Sequence, residues 1–171
     1  AKGLLVPHFQ AVFKLDAMSE KSIKALASEP SLKSIEKHLY GFESLIRLKQ
    51  DEVDHAIRED GLIFLEARHL APDMLFHMAH SAHVALELDQ ACFKRGIEVG
   101  QSLPGSLLVN ILPRNLYFID KLLSDIPDGV DLVFEVSETE AINNLALMKR
   151  VRDELSEKHV RVAADDFGTG Y

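Results

Sequence analysis

Val160-Arg161-Val162-Ala163-Ala164-Asp165-Asp166-Phe167-Gly168-Thr169-Gly170-Tyr171 is the stretch whose reading decides the fold. A short apolar run bounded by turn residues reads as a strand buried on both faces, the kind that parallel sheets use. Two carboxylates stand directly after it, followed by a Gly-Thr-Gly that lets the backbone turn sharply beside them. In open and closed α/β sheets alike, the chemistry lies beyond the carboxyl ends of the strands. An aspartate pair in that place is a metal-site signal.

Working outward, the residues before this run repeat a β-α unit. The pattern predicts a strand at Ser106–Ile111, a helix from about Arg114 to Ser124, a strand at Val130–Val136, a helix from about Glu140 to Lys158 and a strand at Val160–Asp165. Pro104-Gly105 and Pro127-Asp128-Gly129 punctuate the strand entries. Leu75–Arg95 reads as largely helical, with Pro72 near the first turn and Gly96 just past the end. Leu4–Leu15 and Lys37–Leu48 read as strands joined by the polar stretch Ser19–Ser34, with a short helix around Glu20–Ala27, while residues 49–71 carry no decisive pattern. Sequential strands joined by helices require right-handed crossovers and a parallel sheet. The fold class is therefore α/β, as an open doubly wound sheet or a closed barrel, and with no internal repeat or linker residues 1–171 read as a single domain.

Composition narrows the function. With 47% hydrophobic and 27% charged residues the chain is built to bury a core, and its net charge of −8 leaves no broad basic surface for a nucleic-acid polymer. Any anionic substrate has to be met by metal ions or a few placed arginines. The single cysteine, Cys92, forms no internal disulfide, and no apolar run reaches the ~18 residues that span a bilayer, so the expected location is cytoplasmic. A start at Ala1 and an end in a glycine-rich loop give the further expectation that the sequence was cut from something longer.

Four acceptor-rich positions stand at or near strand ends: Glu43, Asn110, Glu135, and Asp165 with Asp166. Asn110 to Glu135 is 25 residues and Glu135 to Asp165 is 30, about one β-α unit each, and carboxyl ends of successive barrel strands converge on one mouth. Oxygen ligands without a thiolate suit Mg²⁺ or Mn²⁺. Two adjacent aspartates can serve two ions, a pair of which activates water and stabilises an in-line phosphoryl displacement. Against this, a lone polar residue at a strand end commonly caps the next helix, and Asn110 is open to that reading. Glu135, directly after the apolar run Leu132-Val133-Phe134, would be costly to bury without a partner.

Phe42-Glu43-Ser44-Leu45-Ile46-Arg47, Val109-Asn110-Ile111-Leu112-Pro113-Arg114, Phe134-Glu135-Val136-Ser137-Glu138 and Asp165–Tyr171 resemble, in order and spacing, the signatures of the EAL domain family. The opening Pro7-His8-Phe9-Gln10 is similar to the family's Tyr-Gln-Pro start. The resemblance implies a TIM-type (β/α) barrel, modified with an antiparallel first strand. It also implies a bacterial second-messenger phosphodiesterase that hydrolyses cyclic di-GMP to linear pGpG with Mg²⁺ or Mn²⁺ in a two-metal site. Carried over by position, Glu43, Asn110, Glu135 and Asp165 hold one metal and Asp165 with Asp166 the second, while Gln10 and Arg47 contact the nucleotide. Arg47 is suited to bidentate hydrogen bonds with a phosphate. Glu138 matches a glutamate that steadies the loop after Asp166.

The sequence also departs from the family pattern. Glu43-Ser44-Leu45 stands where the family has Glu-Ala-Leu, and Ala11 replaces the opening proline. The lysine, glutamate and glutamine that the family carries on later strands are not among these residues, so the resemblance implies that the C-terminal part of the barrel is missing and that residues 1–171 alone are inactive. The helix that often makes the family's homodimer contact would follow Tyr171. A catalytically degenerate EAL domain acting as a cyclic di-GMP receptor or protein-interaction module is the alternative. His77, His80 and His83 lie on adjacent helix faces and spread too widely for a metal site. Cys92 reads as a small core residue and Lys149-Arg150-Val151-Arg152 as a solvated helix face.

Overall fold

Strand order in the sheet follows the chain, β1-β2-β3-β4-β5. In the computed structural model, which describes residues 4–14, 19–28, 32–49, 71–124, 126–137, 145–158 and 160–165, β1 (Leu5–Phe13) pairs antiparallel with β2 (Leu39–Leu48). Then β3 (Ser106–Asn110), β4 (Leu132–Ser137) and β5 (Arg161–Asp165) follow in parallel. Helices α1 (Glu20–Ser28) and α2 (Leu32–His38) lie between the first two strands, and α3 (Pro72–Ser81) and α4 (Ala85–Gly100) between β2 and β3. A 3-10 helix at Pro113–Phe118 runs into α5 (Ile119–Ser124) before β4, and α6 (Leu145–Glu157) precedes β5.

Alternation along the strands sorts the side chains into two faces. Leu107 and Val109 of β3 and Leu132, Phe134 and Val136 of β4 turn to the helices and form one buried core with Phe93 and Ile97 of α4, Leu116, Ile119 and Leu122, and Val151 and Leu155 of α6. Phe93 meets Phe134 edge-on, with ring centroids 5.6 Å apart. Side chains of this size each gain about 1.5–3 kcal/mol from burial, which makes this face the main source of stability. The other face carries Glu43, Leu108, Asn110, Glu135, Ala163 and Asp165.

The long helix expected over Leu75–Arg95 is two helices. His83 takes a left-handed φ of 59°, and the bonds Val84 N–H to Ala79 and His83 N–H to His80 close the end of α3 in the manner usually reserved for glycine. Gly96 falls inside α4 rather than past its end. A Cβ there would come within 2.7 Å of Ser44 Oγ, so its missing side chain lets α4 close onto β2, a tertiary reason that helix-stop statistics do not contain. The expected strand Lys37–Leu48 begins at Leu39, because Lys37 and His38 end α2. A second helix, α2, begins at the end of the polar stretch, beyond the one expected there.

The far end of the strands is tied by Arg161. Its guanidinium donates to Tyr40 Oη (2.6 Å), Ser106 Oγ (2.7 Å) and Asp131 Oδ1 (2.6 Å), and Ser106 Oγ donates to the other Asp131 oxygen at 2.9 Å. Four chain segments are thereby joined at the end of the strands opposite Asn110 and Asp165. Among the described residues no helix is long and apolar enough to cross a membrane.

Candidate active site

Strand register, more than any single loop, assembles the site. Glu43 of β2 lies beside Leu108, Asn110 of β3 beside Glu135 of β4, and Asp165 of β5 beside Ser137, two residues beyond Glu135. Since i and i+2 share a face, all four side chains project from one face of the sheet, rising stepwise toward the carboxyl ends. Gln10 is the antiparallel partner of Glu43, and Arg47 lies further along the same strand, beside Val6.

Asn110 does not cap the following helix: the residue at that cap is Leu112, which makes no side-chain cap bond. Instead Asn110 Nδ2 donates to Glu43 Oε1 at 3.0 Å, which leaves the amide oxygen as the acceptor end. Glu135 is half-buried, and its Oε2 is enclosed without a hydrogen-bond partner. Its carboxyl is pushed up from 4.5 to about 7, first by burial and then by the charges of Glu43 and Asp165. Glu43 and Asp165 thus raise the proton affinity of Glu135 across the sheet face, and an oxygen-rich set of this kind suits a hard divalent ion. Among the described residues no three His, Cys, Asp or Glu side chains close tightly around a single point. Asp166 and Glu138 lie outside the described residues.

Two hollows open over these groups. One of about 480 Å³ is bordered by Glu43, Arg47, Asp73, Phe76, Asp89, Asn110 and Asp165. The other, about 230 Å³, shares Phe76, Asp89, Asn110 and Asp165 and adds Glu135 and Ser137. The larger falls in the range of small-molecule sites. Arg47 Nη1 donates to the Ile46 carbonyl at 2.9 Å, which holds its guanidinium at this wall.

Asp89 and Phe76 were not singled out by the sequence. Asp89 is 4% exposed, and an acidic residue in the middle of the apolar face Leu88–Phe93 was the available signal. Cys92 is buried, and burial together with Asp89 pushes its thiol up to about 12, so it stays protonated and inert. Lys149, Arg150 and Arg152 are exposed, with Arg150 paired to Glu154 and Arg152 to Asp153.

The model of the EAL domain family matches residues 15–171, and the chain belongs to that family. Its solved relatives are TIM-type barrels, and the antiparallel β1 and the parallel run that follows have that architecture. The FimX EAL domain from Pseudomonas aeruginosa bound to c-di-GMP is similar at 20% identity and a TM-score of 0.63, over 96% of this chain and 57% of that one. A second FimX EAL domain structure gives a TM-score of 0.60 at 20% identity, over 96% and 58%. Klebsiella pneumoniae BlrP1 in a manganese and c-di-GMP complex at pH 6 gives 0.56 at 21% identity, over 98% and 40%. The chain therefore spans somewhat more than half of the FimX domain's length. No curated protein sequence matches it.

Proposed function

We propose that the protein is a cyclic di-GMP phosphodiesterase that opens one phosphodiester to give linear pGpG, and that residues 1–171 belong to one cytoplasmic EAL domain. The observation that carries the reading is the stepwise placement of Glu43, Asn110, Glu135 and Asp165 on one sheet face, with Glu135 Oε2 enclosed and unpartnered. The chain's fold is shared with FimX and BlrP1 structures that hold c-di-GMP, in BlrP1 together with manganese, which supports both ligand and metal.

In this reading Glu43, Asn110, Glu135 and Asp165 hold one Mg²⁺ or Mn²⁺, and Asp165 with Asp166 a second. Bound there, such ions supply Lewis acidity at the phosphodiester and lower the pKa of an attacking water. Arg47, at the cavity wall, pairs with a phosphate through its planar fork, and Gln10 contacts the nucleotide from β1 beside Glu43. Asn110 keeps its amide oxygen turned to the site by donating to Glu43. Glu138 steadies the loop after Asp166.

The test is turnover of cyclic di-GMP by the full-length protein, followed as pGpG by chromatography. Activity is expected with Mg²⁺ or Mn²⁺, and Glu43→Ala should reduce it by a factor of a hundred or more. Undiminished turnover after exhaustive chelation overturns the metal assignment. Tight binding of cyclic di-GMP without turnover replaces the enzyme by the receptor.

A further inference from the structure

A buried carboxylate apart from Glu43, Glu135 and Asp165 is bonded to the turn that follows Asn110. Asp89, on α4, is 4% exposed. Its Oδ2 accepts the Leu112 N–H at 3.0 Å and Asn115 Nδ2 at 2.6 Å. Asn115 is fully buried, donates also to the Leu86 carbonyl at 3.2 Å, and accepts from Gln90 Nε2 at 2.8 Å. One oxygen thus pins α4, the backbone two residues after Asn110, and the 3-10 helix that begins at Pro113. Hydrogen bonds to a charged, buried acceptor are roughly twice as strong as neutral ones, and they leave Ile111-Leu112 a single path. Asp89 borders both hollows beside Asn110 and Asp165.

We propose that Asp89 is a positioning residue of the metal site, acting through Leu112 and Asn115 to hold the end of β3 so that the Asn110 amide meets Glu43 and the ion. It does so without itself binding metal or nucleotide. This rests on the reading of Asn110 as a metal ligand. Outer-shell residues of this kind typically contribute a factor of 10–100 in metal affinity.

The experiment is Mn²⁺ titration of the full-length protein, with the free ion followed by electron paramagnetic resonance, alongside a thermal melt. Asp89→Ala is expected to weaken Mn²⁺ binding about 10–100-fold. Asp89→Asn is expected to lose less than about tenfold and to fall between the parent and Asp89→Ala, because one amide oxygen accepts the same two hydrogen bonds without the charge that strengthens them. Val151→Ala in the remote core, matched for loss of melting temperature, is expected to bind Mn²⁺ as the parent does. Parent-like affinity in Asp89→Ala overturns the proposal, as does an Asp89→Asn as weak as Asp89→Ala, which would make Asp89 a ligand. Equal weakening in Val151→Ala overturns it too, by reducing the effect to general stability. If Asp89→Ala does not fold, Asp89→Asn decides alone, and tenfold weaker binding counts against the proposal. Failure of the underlying reading looks different: Glu43→Gln would then bind Mn²⁺ as the parent does, whatever Asp89 variants do.

Discussion

Replacing Glu135 by glutamine should stabilise the metal-free protein at alkaline pH, at the position where it destroys function. In the fold the Glu135 carboxyl is pushed up from 4.5 to about 7, by burial and by Glu43 and Asp165. The folded state therefore holds its proton more tightly than the unfolded chain does. Stability from that proton is complete below about pH 4.5 and is lost as the pH rises through 7. At 1.36 kcal/mol per unit the full loss is about 3 kcal/mol, and partial access of water brings the expected range to about 1–3 kcal/mol. Glu135→Gln carries no charge to lose, so its advantage should be small near pH 5, open mainly between pH 5 and 7, and level off above that. For a domain of this size each kcal/mol moves the melting point by about 2–4 °C. Melts by circular dichroism at pH 5 and 8, with chelator and then with Mn²⁺, read this directly. With Mn²⁺ the order should reverse, since only the parent gains from binding. A Glu135→Gln that melts with the parent at pH 8 in chelator, or an advantage that does not change with pH, refutes the account of Glu135.

Ser44→Ala should leave turnover within about twofold and raise stability by about 1 kcal/mol in urea unfolding, because Ser44 Oγ is buried without a hydrogen-bond partner; an equally inactive variant would show that the hydroxyl has a catalytic task. Gly96→Ala should destabilise the parent, where its Cβ meets Ser44 Oγ at 2.7 Å, and should be markedly better tolerated in a Ser44→Ala background, where only the 3.3 Å approach to the Ser44 Cβ remains; additive effects in the double-mutant cycle would show that the two positions do not touch. Asp165→Ala should abolish turnover and at the same time bring the Glu135 carboxyl down toward its ordinary range, readable as a weaker pH dependence of stability between pH 5 and 8.

The parallel sheet was legible because Leu107–Val109, Leu132–Phe134 and Val162–Ala164 are short apolar runs separated by helix-length segments. The pattern left the strand order open between a doubly wound sheet and a barrel, and the barrel came from the family resemblance. The positions Glu43, Asn110, Glu135 and Asp165 stood out as polar groups at the ends of such runs. Their common face did not, since it depends on which residue pairs with which across strands far apart in sequence. The helix break at His83 escaped because a Schellman-type ending was built without glycine, and Gly96 misled because its reason lies in Ser44, 52 positions earlier. The bonds of Asp89 to Leu112 and Asn115 were invisible for the same reason: an acidic residue among apolar neighbours marks the position, but local periodicity does not say what sits across from it.

The Arg161 tie to Tyr40, Ser106 and Asp131 lies at the end of the strands away from Glu43, Asn110, Glu135 and Asp165, and with the apolar face it anchors the sheet at that end. Loss of one of the facing carboxylates then removes repulsion while leaving this anchor and the apolar core in place. In a lineage freed from selection for turnover, drift toward a folded, nucleotide-holding but inert domain runs thermodynamically downhill, whereas return to catalysis has to be won against stability.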